Sequence, residues 1–231
     1  MTFMMTLISL VCAYLLGSLP VGLFVVKIIR GRDIRHWFSG RTGGTNVMRM
    51  AGVWAGLVTM AGDLLKALGA VLLADFLTGG NAWAKVGAGL LSILGHNYSI
   101  FLLERKDGRI VLRGGAGGVC TLGASGGLWI PALLITIPAS LGVLFGIGYA
   151  SVATISIAFM AFVIFLIRAI LGVGPWAYVL FGVAAEAILM WALRPNIRRL
   201  IKGEERIVGW RARRAKRRET RVSKGNAIER E

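Results

Sequence analysis

Six apolar stretches, at 7–26, 53–77, 82–103, 128–148, 151–170 and 173–193, constrain this chain more than any other feature of it. Each has the length of about 20 residues that an α-helix needs to cross roughly 30 Å of hydrocarbon. None alternates apolar and polar residues with period two, which excludes the strands of a membrane barrel. Hydrophobic residues fill 56% of the 231 positions and charged ones only 16%, and the mean hydropathy is +0.70. A soluble domain of this size has no interior large enough for that much apolar surface. The expected fold class is all-α, a polytopic transmembrane helix bundle. One membrane domain spans 1–206, and a basic tail, disordered or bound to the membrane surface, spans 207–231.

The 7–26 stretch lacks a positively charged start and runs into Tyr14-Leu-Leu-Gly-Ser-Leu-Pro20 rather than a small-residue cleavage site. It reads as a retained span, not a signal peptide. Cys12 and Cys120 lie far apart in apolar surroundings, with no metal-ligand spacing and no disulfide framework.

The formal charge of +16 invites a nucleic-acid reading, so its distribution decides. Residues 194–231 hold 14 of the 27 lysines and arginines, 27–49 hold six and 104–118 hold four, leaving Lys66, Lys85 and Arg168. Basic residues gathered into a few segments between or after spans are the positive-inside pattern. The run Arg211-Ala-Arg-Arg-Ala-Lys-Arg-Arg218 has no aromatic residue after Trp210 to stack a base. Membrane lipid is therefore the expected partner, with no nucleic acid. If 27–52, 104–118 and the tail share the cytoplasmic side, six crossings fail by parity. About seven membrane segments satisfy the charges, with the N-terminus outside and the C-terminus cytoplasmic; six long spans with a half-crossing at the end are the alternative. The glycine-rich stretch 117–138 is the candidate for the extra, short or re-entrant segment.

The three basic segments carry the chemistry. In Ser39-Gly-Arg-Thr-Gly-Gly-Thr-Asn-Val-Met-Arg49, small and hydroxyl residues let the backbone turn tightly before a helix start, and Arg49 offers a fork for phosphate. Arg113-Gly-Gly-Ala-Gly-Gly-Val-Cys-Thr121 has four glycines in five positions, which permits close approach of phosphate oxygens. It lacks the Gly-Lys-Ser/Thr of a Walker loop, and no strand is expected before it. A packing role between helices is the alternative for its glycines. The third, Arg194-Pro-Asn-Ile-Arg-Arg-Leu-Ile-Lys-Gly-Glu-Glu205, reads as an interfacial helix with Arg198, Arg199 and Lys202 on one face. Asp63 and Lys66 lie one turn apart inside an apolar stretch, as a functional pair or a structural ion pair. Neither His36 nor His96 is followed five residues on by aspartate, so a His-x4-Asp acyltransferase centre is absent.

Taken together, the segments resemble the acyl-phosphate glycerol-3-phosphate acyltransferases, the PlsY family. Residues 39–49 look like its first motif, Ser-Gly-Asn-x-Gly-Ala-Thr-Asn-x-x-Arg. Residues 114–121 resemble its second, Gly-Gly-Lys-Gly-Val-Ala-Thr, with one extra residue, and 196–205 resemble its third. Asp63-Leu-Leu-Lys66 and Gly95-His-Asn-Tyr98 add to the match. The resemblance implies a bacterial cell-membrane enzyme, a monomer, that acylates glycerol 3-phosphate from acyl phosphate with no cofactor and no metal. It implies catalytic roles for Ser39, Arg49 and Asn196. Phosphate binding falls to Arg41, Thr45, Asn46, Arg113, Gly114, Gly115, Gly117 and Gly118, with Asp63, Lys66, His96, Asn97 and Glu205 in support. Three positions depart from the pattern: Ala116 or Gly117 replaces the second motif's lysine, Arg41 the first motif's asparagine, and Leu193 the third motif's histidine. Arg41 or Arg113 is then expected to supply the missing cation. An altered-substrate or non-catalytic homologue, and a small transporter or lipid-binding protein, are the alternatives.

Overall fold

In the computed structural model, residues 2–106 and 108–208 are described, apart from the side chains of Thr2 and Lys106. The tail expectation from 209 onward lies outside the described residues. Ile207 and Val208 still belong to the ordered body: Tyr149 bridges Ile207, and Val208 N donates to Gly148 O at 2.8 Å.

The chain opens with α1 (Thr2–Ser18) and α2 (Val21–Arg30), one apolar stretch broken at Pro20. Leu23 N turns to Pro20 O, and the carbonyl of Leu19 accepts from Val21 N at 3.0 Å and from Lys66 Nζ at 2.8 Å. A break at this depth is tolerable because another helix helps satisfy that carbonyl. A loop and α3 (Gly44–Ala51) follow, then α4 (Val53–Thr78). Gly79, in a left-handed conformation, stops α4 and Asn81 caps α5 (Ala82–Asn97) by accepting from Trp83 N and Ala84 N.

Here the all-helical expectation needs correction. The apolar run 82–103 is not one helix: α5 ends at Asn97, and β1 (Ser99–Lys106) pairs antiparallel with β2 (Arg109–Arg113). In the sequence, Asp107-Gly108 is a strong hairpin signal, and Gly108 has φ +73°. A strand therefore does precede the glycine loop. It belongs to a two-stranded hairpin, and the described residues form no parallel dinucleotide-binding sheet.

The remaining elements are α6 (Gly118–Leu128), α7 (Pro131–Ile147), α8 (Ala150–Ile170), α9 (Trp176–Ala192) and α10 (Arg194–Ile201). All of α6 except Val119 is buried, and at about 1.5 Å per residue it is too short to cross roughly 30 Å of hydrocarbon. Its glycines let it lie at the centre: a Cβ on Gly123 would collide with Leu64 O of α4, and one on Gly118 would meet Thr154 of α8 at 2.8 Å. Small residues at close helix contacts are the membrane packing device, since lipid provides no hydrophobic push between helices. By length and composition, three helical segments among the described residues can cross a membrane: Phe3–Arg30, Val53–Thr78 and Ala150–Ile170. There are four if α9 and α10, bent by 68° at their junction, count as one broken span. The protein is mostly helical, with apolar helix faces left exposed in the manner of a membrane protein.

Candidate active site

The loop after α2 is shaped by its own hydrogen bonds. Asn46, in the first turn of α3, donates from Nδ2 to Trp37 O at 3.2 Å and to Arg41 O at 2.8 Å. Thr42 N donates to Gly114 O at 3.2 Å, joining this loop to the glycine loop. Phe38 holds a left-handed backbone (φ 52°), strain that a non-glycine residue bears where the surroundings fix it. Outside the loop, Glu104 of β1 ties Arg35 at 2.8 Å to Arg113 at 2.8 Å. Arg35 also hydrogen-bonds Asp33, holding that carboxyl below the ordinary aspartate range.

Glycines serve two purposes in the second loop. A Cβ on Gly114 would strike the backbone carbonyls of His96 and Asn97, and one on Gly115 would strike the His96 ring. These two are required by packing onto the end of α5. Gly117 has φ +89° and caps the start of α6, and Ala116, Gly117, Gly118 and Val119 line a common cavity. The start of α3, at Gly43, Gly44 and Thr45, lines the same space. Two helix N-termini with unpaired N–H groups thus face one volume, a favourable setting for anions.

That cavity encloses about 380 Å³. Glu205 braces its third wall: Oε1 accepts from Asn196 Nδ2 at 2.8 Å and Ser151 Oγ at 3.2 Å, while Oε2 pairs with Arg199 Nε at 2.9 Å. Asp63 and His96 form part of the inner wall, backed by Lys66, whose Nζ lies 2.8 Å from Asp63 Oδ1 and 3.0 Å from His96 Nδ1. Asp63, His96 and Cys120 bring one ligand atom each within 4.8 Å of one another. The Lys66 ammonium already neutralises that carboxylate, so the donor set does not suit a dication.

The charge balance of the cavity is positive. Arg41, Arg49, Arg199 and Arg206 line it, against Asp63 and Glu205. Lys66 answers Asp63 and Arg199 answers Glu205, leaving Arg41, Arg49 and Arg206 without a carboxylate among the described residues. Burial lowers the pKa of Arg41 and Arg49 from the ordinary arginine value, yet a guanidinium remains charged at physiological pH. Arg41 reaches across the site, donating to Gly115 O at 3.1 Å and Ala192 O at 2.5 Å. Asn46 Oδ1 is buried with no partner among the described residues.

Of the residues singled out in the sequence, Ser39, Arg41, Thr45, Asn46, Arg49, Asp63, His96, Gly117, Gly118, Asn196 and Glu205 line this one cavity. Lys66, Asn97, Arg113, Gly114 and Gly115 do not; they sit behind it or, for Arg113, are committed to Glu104. Sequence reasoning missed Ser151 and Thr154, at the start of α8, and Arg206. Two hydroxyls opening an apolar run carry no local signal of a site.

A family model described as glycerol-3-phosphate acyltransferase matches residues 7–203. Glycerol-3-phosphate acyltransferase 2 of Moorella thermoacetica is 38% identical over 210 residues, covering 90% of this chain and 100% of that relative. Among solved structures, the crystal structure of PlsY, an integral membrane glycerol 3-phosphate acyltransferase, in its glycerol 3-phosphate form has a TM-score of 0.76 at 31% identity. The match covers 88% of this chain and 96% of that one. The lysophosphatidic acid form of PlsY gives 0.73 at 30% identity, over 88% and 95%.

Proposed function

Because this chain belongs to the glycerol-3-phosphate acyltransferase family, we propose that it transfers an acyl group from acyl phosphate to glycerol 3-phosphate, yielding lysophosphatidic acid and inorganic phosphate. The observation that carries this reading is the single cavity with two facing helix N-termini and three arginines lacking carboxylate partners. A glycerol 3-phosphate hydroxyl attacks the acyl carbonyl, a carboxylic ester forms, the anhydride C–O bond breaks, and phosphate leaves with the electron pair and takes up the hydroxyl proton. Two phosphates must be held close together for this step, so positioning and charge neutralisation are what the protein supplies.

Ser39, Arg49 and Asn196 contact and orient substrate, and the unpartnered Oδ1 of Asn46 accepts from a substrate hydroxyl. Thr45, Gly117 and Gly118 present phosphate donors. Gly114 and Gly115 seat the loop on α5, and the Asp63–Lys66–His96 cluster, with Asn97, supports the wall beneath it. Arg41 takes the place of the family's missing cations: its two carbonyl partners, Gly115 and Ala192, immediately precede Ala116 and Leu193, two of the positions where the motifs depart. Arg113, held by Glu104, has a structural part.

The enzyme is a monomer in the bacterial plasma membrane with about seven membrane segments: α1–α2, α4, α5, α7, α8 and α9, and the short α6 enclosed among them. Contacts between distant segments support this arrangement. One end joins Asp75 to Lys85 and Arg168 to Trp129, 2.8 and 3.8 Å apart. The other end gathers the loop at 31–43, the hairpin, Gly148–Tyr149 and α10. The positive-inside rule supports a cytoplasmic second end and C-terminus, with the N-terminus outside. A donor assay tests the reading: purified protein in lipid receives glycerol 3-phosphate with either long-chain acyl phosphate or the matching acyl thioester. Lysophosphatidic acid is expected from acyl phosphate alone. Product from the thioester and none from acyl phosphate would overturn the assignment.

A further inference from the structure

Beside the reaction cavity lies an open recess walled by Tyr98, Trp191, Ala192, Arg194, Pro195 and Arg198. Pro195 lines both spaces, and the carbonyl of Ala192 is the one that Arg41 holds from the cavity side. The two therefore share a wall where α9 gives way to α10.

Its chemistry is distinct. Arg194 is pinned, with Nε donating to Trp191 O at 3.0 Å and its guanidinium carbon 3.2 Å from the centroid of the Trp191 ring. Arg198 follows one helical turn later, on the same face. Neither arginine has an acidic partner among the described residues. Trp191 is 58% exposed at the end of an apolar helix, the level at which indole rings settle between hydrocarbon and headgroups. Two guanidinium forks without counter-charge, beside a lipid-level aromatic, match a doubly charged terminal phosphate on an acyl chain.

We propose that this recess is a second anion site, binding the phosphomonoester headgroup of a membrane-anchored lipid beside the reaction cavity. It rests on the membrane reading of α9 and not on the acyl-transfer chemistry. A phosphodiester headgroup, with one charge and both sides esterified, offers the two forks fewer terminal oxygens and binds less well.

The test uses the full-length protein in phosphatidylcholine nanodiscs and counts bound long-chain lysophosphatidic acid by native mass spectrometry, with no donor present. One lipid per chain fewer is expected in Arg194→Gln/Arg198→Gln than in the parent, with the affinity of that second lipid, the one in the recess, reduced at least tenfold whatever the reaction cavity binds. Arg198→Gln alone, at an exposed side chain, should weaken the second lipid about threefold and guards against misfolding of the double variant. Where the enzyme turns over, its KM for glycerol 3-phosphate should stay within twofold in both variants. An unchanged lipid count would overturn the site. Equal binding of phosphatidylglycerol would reduce it to general attraction for anionic lipid. Displacement of the second lipid by millimolar inorganic phosphate would assign the recess to free phosphate instead.

Discussion

Arg49→Ala is expected to lower kcat/KM for acyl transfer by roughly 100- to 1,000-fold, the range seen when one preorganised charged donor is removed from a reacting centre. Arg49 lies in the last turn of α3, so its helix aims the N-terminal backbone and this guanidinium at one cavity. It has no carboxylate partner among the described residues, and its charge is therefore free to meet a phosphate. The same lack of a protein partner means that stability should change little, so the thermal midpoint is the control. Arg49→Lys should retain a point charge but lose the fork, giving an intermediate loss. A variant within threefold of the parent would remove Arg49 from substrate binding.

Arg41→Ala is expected to cost about 100-fold, while Arg113→Ala stays within about threefold. The difference follows from geometry. Arg41 spans the cavity between Gly115 O and Ala192 O, whereas Arg113 is spent on Glu104 at the hairpin. Truncating Arg41 also releases two backbone carbonyls, so lost activity alone would not separate charge from packing. Introducing Ala116→Lys into the Arg41→Ala background does separate them. Position 116 lines the same cavity, and a cation placed there should restore activity at least tenfold. No rescue in a folded double variant, or a harmless Arg41→Ala, would refute the idea that Arg41 stands in for the missing lysine.

The membrane class and the gathering of the three basic segments were legible because both rest on strong one-dimensional signals. Apolar runs of spanning length are long, and glycine-rich phosphate-type loops are compositionally distinct. Element boundaries were less legible. Run 82–103 reads as one span, yet the chain leaves α5 at Asn97 and enters a hairpin, because apolar residues at 100–103 suit a strand at the membrane surface as well as a helix. The Asp107-Gly108 pair was the available clue. Likewise α6 is apolar, glycine-rich and too short to register as a span, although it is the most enclosed helix in the bundle. For the site, the residue types near each motif were visible, but their division into cavity wall and support was not. Gly114 and Gly117 look alike in sequence; one is fixed by the carbonyls of α5 and the other turns the chain into α6. Ser151 and Thr154 reach the cavity only because α8 packs beside α6.

The most direct test of acyl transfer in this cavity is a product balance. Protein shown to be folded in lipid is given long-chain acyl phosphate and glycerol 3-phosphate, and inorganic phosphate and lysophosphatidic acid are measured in the same samples. Equal amounts of both, growing together and dependent on glycerol 3-phosphate, are predicted. Phosphate release without lysophosphatidic acid, or no turnover at all, would contradict it.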